Sequence, residues 1–306
     1  MFKRKKQKNI ALLAFAASFI IWGINTVYIK IAVTEIPPNF YYLIRFAIPT
    51  LILIPFITRR YKKPSPYQWY ILIIASVIGF VVPNILLAEG LRRTSAIDTS
   101  LIFLLGPVLM FAFSIEFLKE KFNAKILLGL IISLAGAALV VVGPTLYNMT
   151  TNGDMYGNLL VLLSVITATA GIVIIKPILK KLPALQITTL RFALATLFTV
   201  PLVYLEHPNI SAINWTPEVN FALFYGIVFG SLIAYVLYHF GLSKISGEES
   251  STLQYLDPLA GVLAALFILG EQITPIVIVG GALTVVGVYL SEVKSKHKLR
   301  HLHAHR

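Results

Sequence analysis

An acid and a proline lie side by side, at Asp257-Pro258, near the middle of an apolar stretch of membrane-spanning length. On insertion scales, an ionised Asp at the centre of such a helix costs roughly 2.5–3.5 kcal/mol. Proline removes one backbone donor and leaves the carbonyl one turn earlier without its partner. Both costs are tolerable where a neighbouring helix or a water-filled cavity meets these groups. The pair therefore predicts that this part of the chain faces the interior of the protein.

Asp257 has more than one chemical interpretation. As an ionised carboxylate it could attract a substrate ammonium group, and as a titrating group it could carry a proton. Alternatively, it caps or satisfies the backbone that Pro258 leaves free. An earlier segment of the chain matches this one, and there Gly106 stands in the place of the acid. We therefore expect the acid to act in one half of the molecule only.

The composition assigns these segments to a membrane. The chain has 306 residues, of which 57% are hydrophobic and 13% charged, whereas soluble domains carry about 25% charged residues. Its mean hydropathy is +0.81. One soluble core cannot bury so much apolar surface, so we expect a polytopic membrane protein. The chain has no cysteine, which excludes disulfides, thiolate nucleophiles and thiolate metal sites.

Ten apolar segments approach spanning length and are expected to be helices. They lie at about 10–32, 39–57, 69–90, 95–117, 125–143, 156–175, 184–205, 219–241, 247–270 and 273–291. With the N-terminus inside, the Lys and Arg residues of the short loops fall on the inner side, except for Arg92 and Arg93. The positive-inside rule then places both termini in the cytoplasm. The net charge of +13 is thus a topology signal and does not indicate a nucleic-acid partner.

The two halves of the chain repeat one another. Arg45-Phe46-Ala47 recurs as Arg191-Phe192-Ala193, at a spacing of 146 residues. After a short insertion the spacing becomes 151, at which Pro107 matches Pro258. Because a five-helix unit has an odd number of spans, its second copy must enter the bilayer from the opposite side.

These observations predict an all-α polytopic membrane protein whose ten transmembrane helices form two inverted five-helix repeats. The first repeat is expected at 1–145 and the second at 146–292. A basic, His-rich cytoplasmic tail follows at 293–306.

An ordered set of residues gives the chain a family resemblance. The set is Trp22-Gly23-x-Asn25, Lys30, Arg45, Pro107, Glu120, Pro258 and Gly270-Glu271. In these residues the chain resembles the EamA family of the drug/metabolite transporter superfamily. The resemblance implies a carrier in the bacterial inner (plasma) membrane, usually an exporter of amino acids or other small metabolites. It also implies a central substrate cavity lined by helices one, three, four, six, eight and nine.

Polar and aromatic side chains form stripes on otherwise apolar helices, at the three- and four-residue spacing that places them on one face. Such stripes fit a cavity that carries a few placed polar groups. The predicted substrate-binding residues are Trp22, Asn25, Asn84, Tyr235, Tyr238, His239, Gln254 and Asp257. The alternative is that these side chains form hydrogen bonds between helices inside the bundle.

Two further pairs are related by the repeat. Pro107 and Pro258 are expected to break or bend their helices near the site. Glu120 and Glu271 end their segments at opposite faces of the membrane, and their symmetry favours a structural or gate-latching pair role over substrate binding.

Three cationic residues lie within or at the end of apolar segments, and the two arginines among them are expected to be structural. Arg45 and Arg191 are interpreted as snorkelling, with an apolar stem and a charged end that reaches the interface. Lys30 ends the first predicted helix, where a cation suits the helix dipole.

The leading function is a secondary transporter that works by alternating access, with a small-molecule substrate and the lipid bilayer as partners. The chain has no Gly-rich phosphate loop of the Walker type, so ATP is not the expected direct driver. A polytopic membrane enzyme acting on lipid is one alternative, but His-Glu-x-x-His and Gly-x-Ser-x-Gly are both absent. A channel is another, although the polar residues are sparse. We predict no enzyme activity, no catalytic residue, no metal and no cofactor. The Gly-rich faces of helices five and ten could form a homodimer.

Overall fold

The computed structural model describes residues 2–58, 61–106, 109, 113, 124–146, 154–179, 181–242 and 253–292. Within these ranges every regular element is a helix. The predicted all-α class is therefore confirmed.

The main helices are named α1 to α10 in chain order. They are α1 (Phe2–Glu35), α2 (Pro38–Thr58), α3 (Pro66–Leu91), α4 (Ala96–Phe103), α5 (Ala124–Leu146), α6 (Met155–Ile175), α7 (Ala184–Glu206), α8 (the consecutive segments Pro217–Tyr225, Gly226–Ile233 and Ala234–Leu242), α9 (Leu256–Leu269) and α10 (Pro275–Glu292). Short 3-10 turns lie at Lys176–Ile178 and Ile210–Ala212.

Six helical stretches of the described chain are long and apolar enough to cross a membrane. They are Gln7–Glu35, Pro38–Thr58, Pro66–Leu91, Met155–Ile178, Ala184–Glu206 and Pro217–Tyr238. Shorter apolar stretches lie at Ile131–Val140, Leu256–Leu269 and Pro275–Gly287. The chain is thus a polytopic membrane protein, and the count of ten spans stays a prediction.

Short polar side chains fix where several helices begin. The hydroxyl of Ser65 accepts from the amide of Gln68 at 3.3 Å, while the Gln68 side chain accepts from the Ser65 amide at 2.9 Å. This capping box starts α3. The Ser95 hydroxyl accepts from the amide of Asp98 at 2.8 Å and starts α4. Each cap satisfies an amide that has no partner within its own helix.

The helices pack in pairs that relate the two halves of the chain. Helix α1 packs against α8 and α9, and α6 packs against α3 and α4. Helix α2 packs against α7, and α5 against α10. Helices α6 to α10 correspond in order to α1 to α5 in the predicted repeat. If every helix in these pairs is replaced by its counterpart, the same pairs result.

Glycines permit two close approaches between helices. A Cβ on Gly79 of α3 would lie 3.1 Å from the carbonyl carbon of Gly171 in α6. A Cβ on Gly136 of α5 would lie 2.6 Å from the carbonyl oxygen of Gly280 in α10. Small residues at such points let helix backbones touch. The Gly-rich faces of α5 and α10 therefore pack on each other within one chain, and the homodimer stays a prediction.

Two helices contain π-helical segments at matching positions. They lie at Val77–Val81 in α3 and Gly226–Ile233 in α8, and the repeat spacing of 151 places the first inside the second. Such segments interrupt the regular hydrogen-bond pattern and occur frequently at functional sites. Here the carbonyls of Gly79 and Gly230 accept hydrogen bonds from side chains of other helices.

Candidate functional site

Three of the predicted substrate-binding residues form an aromatic cluster between α1 and α8. The ring of Trp22 lies 5.2 Å from that of Tyr235 and 5.4 Å from that of Tyr238, measured between centroids. The indole Nε1 of Trp22 donates to the carbonyl oxygen of Gly230 at 2.9 Å. The acceptor lies in the π-helical segment of α8, and the hydrogen bond holds the indole next to the two tyrosines.

Tyr235 extends the cluster toward α3 and α7. Its ring centroid lies 6.0 Å from that of Phe80 and 5.4 Å from that of Phe192. Four helices, α1, α3, α7 and α8, therefore meet at this one side chain.

A cavity of about 230 Å³ opens beside Tyr235, between α2, α7 and α8. It is lined by Leu53, Leu185, Thr188, Leu232, Tyr235 and Val236. Pockets for drug-sized ligands typically enclose roughly 300–1,000 Å³. The cavity therefore suits a smaller molecule or part of one, and its walls are mostly apolar.

Arg45 is buried, with 6% of its surface exposed. Its Nε donates to the Ser231 hydroxyl at 3.1 Å and its Nη1 to the Tyr41 hydroxyl at 3.4 Å. With the Asn25 amide oriented so that its oxygen faces the guanidinium, Nη2 donates to that oxygen at 3.0 Å. The guanidinium also lies 5.5 Å from the ring centre of Tyr42. The predicted snorkelling of Arg45 is wrong, because polar and aromatic partners hold its charged end inside the protein.

Arg191 occupies the equivalent position in α7 and has fewer partners. Its Nη2 donates to the carbonyl oxygen of Gly79 at 3.0 Å and, at 3.5 Å, to that of Ala75. The guanidinium lies 4.8 Å from the ring centre of Phe80. Its buried Nε has no hydrogen-bond partner among the described residues. Snorkelling is wrong here as well, since these contacts direct the side chain toward α3.

Asp257 lies in the first turn of α9 and is partly buried. Its backbone carbonyl touches Gly23 of α1, where a Cβ would also lie 2.8 Å from the Cβ of Ala260. The carboxylate makes no hydrogen bond or ion pair within the described chain. The alternative interpretation, in which Asp257 satisfies backbone freed by Pro258, requires a hydrogen bond that these residues do not form.

The remaining predicted residues fall at different places. Asn84 donates to the carbonyl oxygen of Phe80 in its own helix at 2.6 Å. Gln254 lies half-buried in the turn before α9. Pro258 is buried in the first turn of α9, where a helix needs no backbone donor. The side chain of His239 lies outside the described part of the chain, as do Pro107 and Glu120.

Glu271 forms an ion pair with Lys30 at 2.7 Å. One of its oxygens accepts from the amide of Ala96 and the other from the amide of Ile97, both at 2.9 Å. The ammonium of Lys30 also donates to the carbonyl oxygen of Thr94 at 2.9 Å. We call this group the Lys30–Glu271 latch. Glu271 is 6% exposed. It follows the end of α9 and caps the start of α4, so the latch joins α1, α4 and α9.

The expectation that Lys30 serves the dipole at the end of its helix is wrong. Helix α1 continues to Glu35, so Lys30 lies within it. The pairing of Lys30 with Glu271 was not predicted, although both residues recur in the other repeat, as Lys176 and Glu120. Shared recurrence of a cation and an acid was the signal that could have found it.

Sequence reasoning also missed a buried polar network next to the latch. Asn158 of α6 donates to the carbonyl oxygen of Val140 at 3.2 Å and to the carboxylate of Asp98 at 3.4 Å. The hydroxyl of Thr94 bonds to the same Asn158 side chain. Asp98 lies in the first turn of α4, which Ser95 caps, and its carboxylate has a partner on another helix.

The chain also matches a known protein family. The model of the EamA-like transporter family matches residues 9–142 and 155–292. This chain belongs to the EamA-like transporter family. The predicted family is thereby confirmed, and the protein is a membrane transporter.

Curated relatives span nearly the whole EamA chain. A protein of Archaeoglobus fulgidus named as an uncharacterized transporter is 26% identical over 284 residues, which cover 92% of this chain and 97% of the relative. The uncharacterized transporter YetK of Bacillus subtilis is 24% identical, covering 95% and 89%. A chloroplastic WAT1-related protein of Arabidopsis thaliana is 25% identical, covering 89% of this chain and 67% of the relative.

A solved crystal structure has a similar fold. It superposes with a TM-score of 0.61 at 16% sequence identity, covering 95% of this chain and 98% of the other. At this identity the likeness concerns the fold alone. The family and the names of the relatives indicate transporters and not enzymes.

Proposed function

We propose that this EamA protein is a secondary transporter that works by alternating access and exports amino acids or other small metabolites. In this proposal, the two repeats at 1–145 and 146–292 are inverted and together supply ten spans. The substrate binds near the aromatic cluster and Asp257, in a bacterial inner membrane with both termini cytoplasmic. The tail at 293–306 extends the basic cytoplasmic surface.

The observation that carries this proposal is the exchange of helix contacts between the halves. The contact of Gly79 with Gly171 has its counterpart in the contact of Gly230 with Asn25. Alternating access needs two halves that can exchange conformations around a shared site. Contacts that map onto one another under the repeat supply that requirement, and two family matches of similar length support it.

The Lys30–Glu271 latch gives this carrier a closed end. With the N-terminus inside, both latch residues belong to the outer side, so the outer end is closed. The repeat supplies Lys176 and Glu120 as the corresponding inner pair. We propose that the two latches form alternately, so that opening one end accompanies closure of the other.

A transport assay tests the function. A metabolite screen of culture medium from overexpressing and deletion cells identifies exported compounds, and purified protein in proteoliposomes then carries the labelled compound with and without a pH gradient. We expect saturable flux that the gradient changes if protons are coupled. Flux that never saturates would favour a channel, and lipid turnover without flux would favour an enzyme.

The latch has its own test in a double-mutant cycle of Lys30→Gln and Glu271→Gln. Glu271→Gln removes the charge that pairs with Lys30 and leaves one acceptor oxygen for the two α4 amides, so it is expected to lower the free energy of unfolding by about 1–3 kcal/mol. The matched control is Glu89→Gln, whose 3.9 Å pair with Arg92 is exposed. Such a pair contributes roughly 0–1 kcal/mol. Equal losses from both acids, or additive single mutants, would contradict the latch.

A further inference from the structure

The two repeat-related arginines have unequal surroundings. Arg45 donates to three side chains, on α1, α2 and α8. Arg191 donates from one nitrogen, Nη2, to backbone carbonyls of α3. Its Nε is buried without a hydrogen-bond partner in the described chain. A guanidinium has five donors in a fixed fork, so Arg191 keeps unused hydrogen-bonding capacity.

The sequence explains this inequality position by position. The three residues that accept from Arg45 are replaced, at the repeat spacings, by residues that cannot accept through their side chains. The replacements are Gly171 for Asn25, Ile187 for Tyr41 and Phe80 for Ser231. In addition, Thr188 stands where the first repeat has Tyr42. The second repeat has therefore lost the side-chain acceptors for its arginine and has a smaller residue beside it.

No described carboxylate neutralises Arg191. The ion pairs of the described chain are Lys30–Glu271 and Arg92–Glu89. Arg191 is partly buried, and a charge inside a membrane protein that is neither paired nor fully hydrogen-bonded is costly and marks substrate pathways. The missing partner of Arg191 is therefore expected to be an anion that arrives with the ligand.

The surroundings of Arg191 also define the rest of that ligand. Thr188 precedes Arg191 by three residues, on the same face of α7, and lines the 230 Å³ cavity together with Tyr235. The ring of Tyr235 packs on Trp22 and Phe192. The cavity thus has a lining residue, Thr188, one turn of α7 away from Arg191, and its wall at Tyr235 is aromatic.

We infer that Arg191 is the anion-recognising residue of the substrate site, and that the transported molecules are small organic anions whose apolar part lies against Tyr235. This inference rests on the proposed transport function and specifies its substrate class. Guanidinium pairs with carboxylates through two parallel hydrogen bonds, which fits the carboxylate as the preferred head group.

The test measures thermal unfolding of the full-length protein in detergent micelles with three probes of the same size. Phenylacetate is anionic, phenylacetamide neutral and phenethylamine cationic. Because a ligand that binds the folded state stabilises it, phenylacetate is expected to raise Tm saturably, and the other two to leave it unchanged. Arg191→Gln should raise the half-saturating phenylacetate concentration about tenfold or more. Arg191→Lys should raise it less, since it keeps the charge and loses the fork.

The matched control is Arg92→Gln, which removes one positive charge from an exposed arginine of the outer loop. Its half-saturating concentration should equal that of the unaltered protein. If Arg191→Gln fails to fold, the comparison of Arg191→Lys with Arg92→Gln decides the question. Equal phenylacetate responses in those two variants would overturn the inference.

Other outcomes also overturn it. Stabilisation by phenethylamine alone would assign the site to cations, with Asp257 as their partner, and absence of any phenylacetate effect would remove the anion site. Stabilisation by added phosphatidylglycerol, but not by phenylacetate, would assign the site to a lipid headgroup. Saturable transport of a cation without carboxylate binding would leave the carrier intact and refute only this inference. Carboxylate binding without any transport would support the anion site at Arg191 and refute the proposed transport function.

Discussion

The surroundings of Arg45 and Arg191 show how duplication can produce two different uses of one residue. Both arginines lie on helices that pack against each other, α2 and α7, and both reach a π-helical segment of another helix. Arg45 meets side chains that accept its hydrogen bonds, whereas Arg191 meets backbone and an aromatic ring. In the first arrangement side chains satisfy the guanidinium, and in the second its Nε has no hydrogen-bond partner among the described residues. Repeat symmetry therefore identifies equivalent positions without identifying equivalent roles.

The strongest test of this comparison replaces each arginine by glutamine. Arg45→Gln removes three side-chain hydrogen bonds from a buried cation and is expected to lower the free energy of unfolding by about 3–5 kcal/mol. Arg191→Gln removes bonds to two carbonyls and a partly satisfied charge, so a loss of about 1 kcal/mol or less is expected. Chemical or thermal unfolding in detergent measures both. Equal losses would show that the two arginines have the same structural role.

A smaller effect separates two serines of the π-containing helices. Ser231 accepts from Arg45 and donates to the carbonyl oxygen of Gly226 at 3.0 Å, so Ser231→Ala should cost about 1–2 kcal/mol. The hydroxyl of Ser76 is buried without a hydrogen-bond partner in the described chain. Ser76→Ala should therefore be neutral or slightly stabilising in the same unfolding assay. A larger loss from Ser76→Ala than from Ser231→Ala would break the comparison.

The smallest effect on stability, and the largest on transport, is expected from Asp257→Asn. Asp257 has no acidic equivalent in the other repeat, where Gly106 occupies its position. Because its carboxylate makes no hydrogen bond to another described residue, the neutral amide should change the free energy of unfolding by roughly 0.5 kcal/mol or less. Transport in proteoliposomes should be abolished or uncoupled from the pH gradient. Unaltered rates and an unaltered pH dependence would reject a coupling role.

The sequence predicted the helical class and the membrane location because both follow from local composition. It also predicted the repeat, since Arg45 and Arg191 recur within matching short motifs. Their surroundings could not be predicted in the same way, because Asn25 and Ser231 reach Arg45 from helices far away in the chain. An isolated arginine in an apolar helix suggests snorkelling, and only its tertiary partners show that it points inward. The π-helical segments have no comparable signal in the residue pattern.

The candidate site was predicted in part for a related physical reason. Spacing along one helix placed Tyr235 and Tyr238 on a common face, and the structure adds Trp22 from α1 to that face. Asn25 was predicted to bind substrate, yet its amide faces Arg45 and so has a structural partner. Whether a polar side chain meets a ligand or another helix depends on packing between helices, which a stripe on one helix does not specify.

The carboxylate of Glu271 has a mechanical consequence for the helix ends that it joins. Its two oxygens accept hydrogen bonds from the first amides of α4, and the same carboxylate pairs with Lys30 of α1. Glu271 directly follows Gly270, whose left-handed conformation ends α9. If any one of these three helices moved away, the others would lose a hydrogen bond or the ion pair. The three helices are therefore expected to separate together, and water must reach the amides of Ala96 and Ile97 when they do.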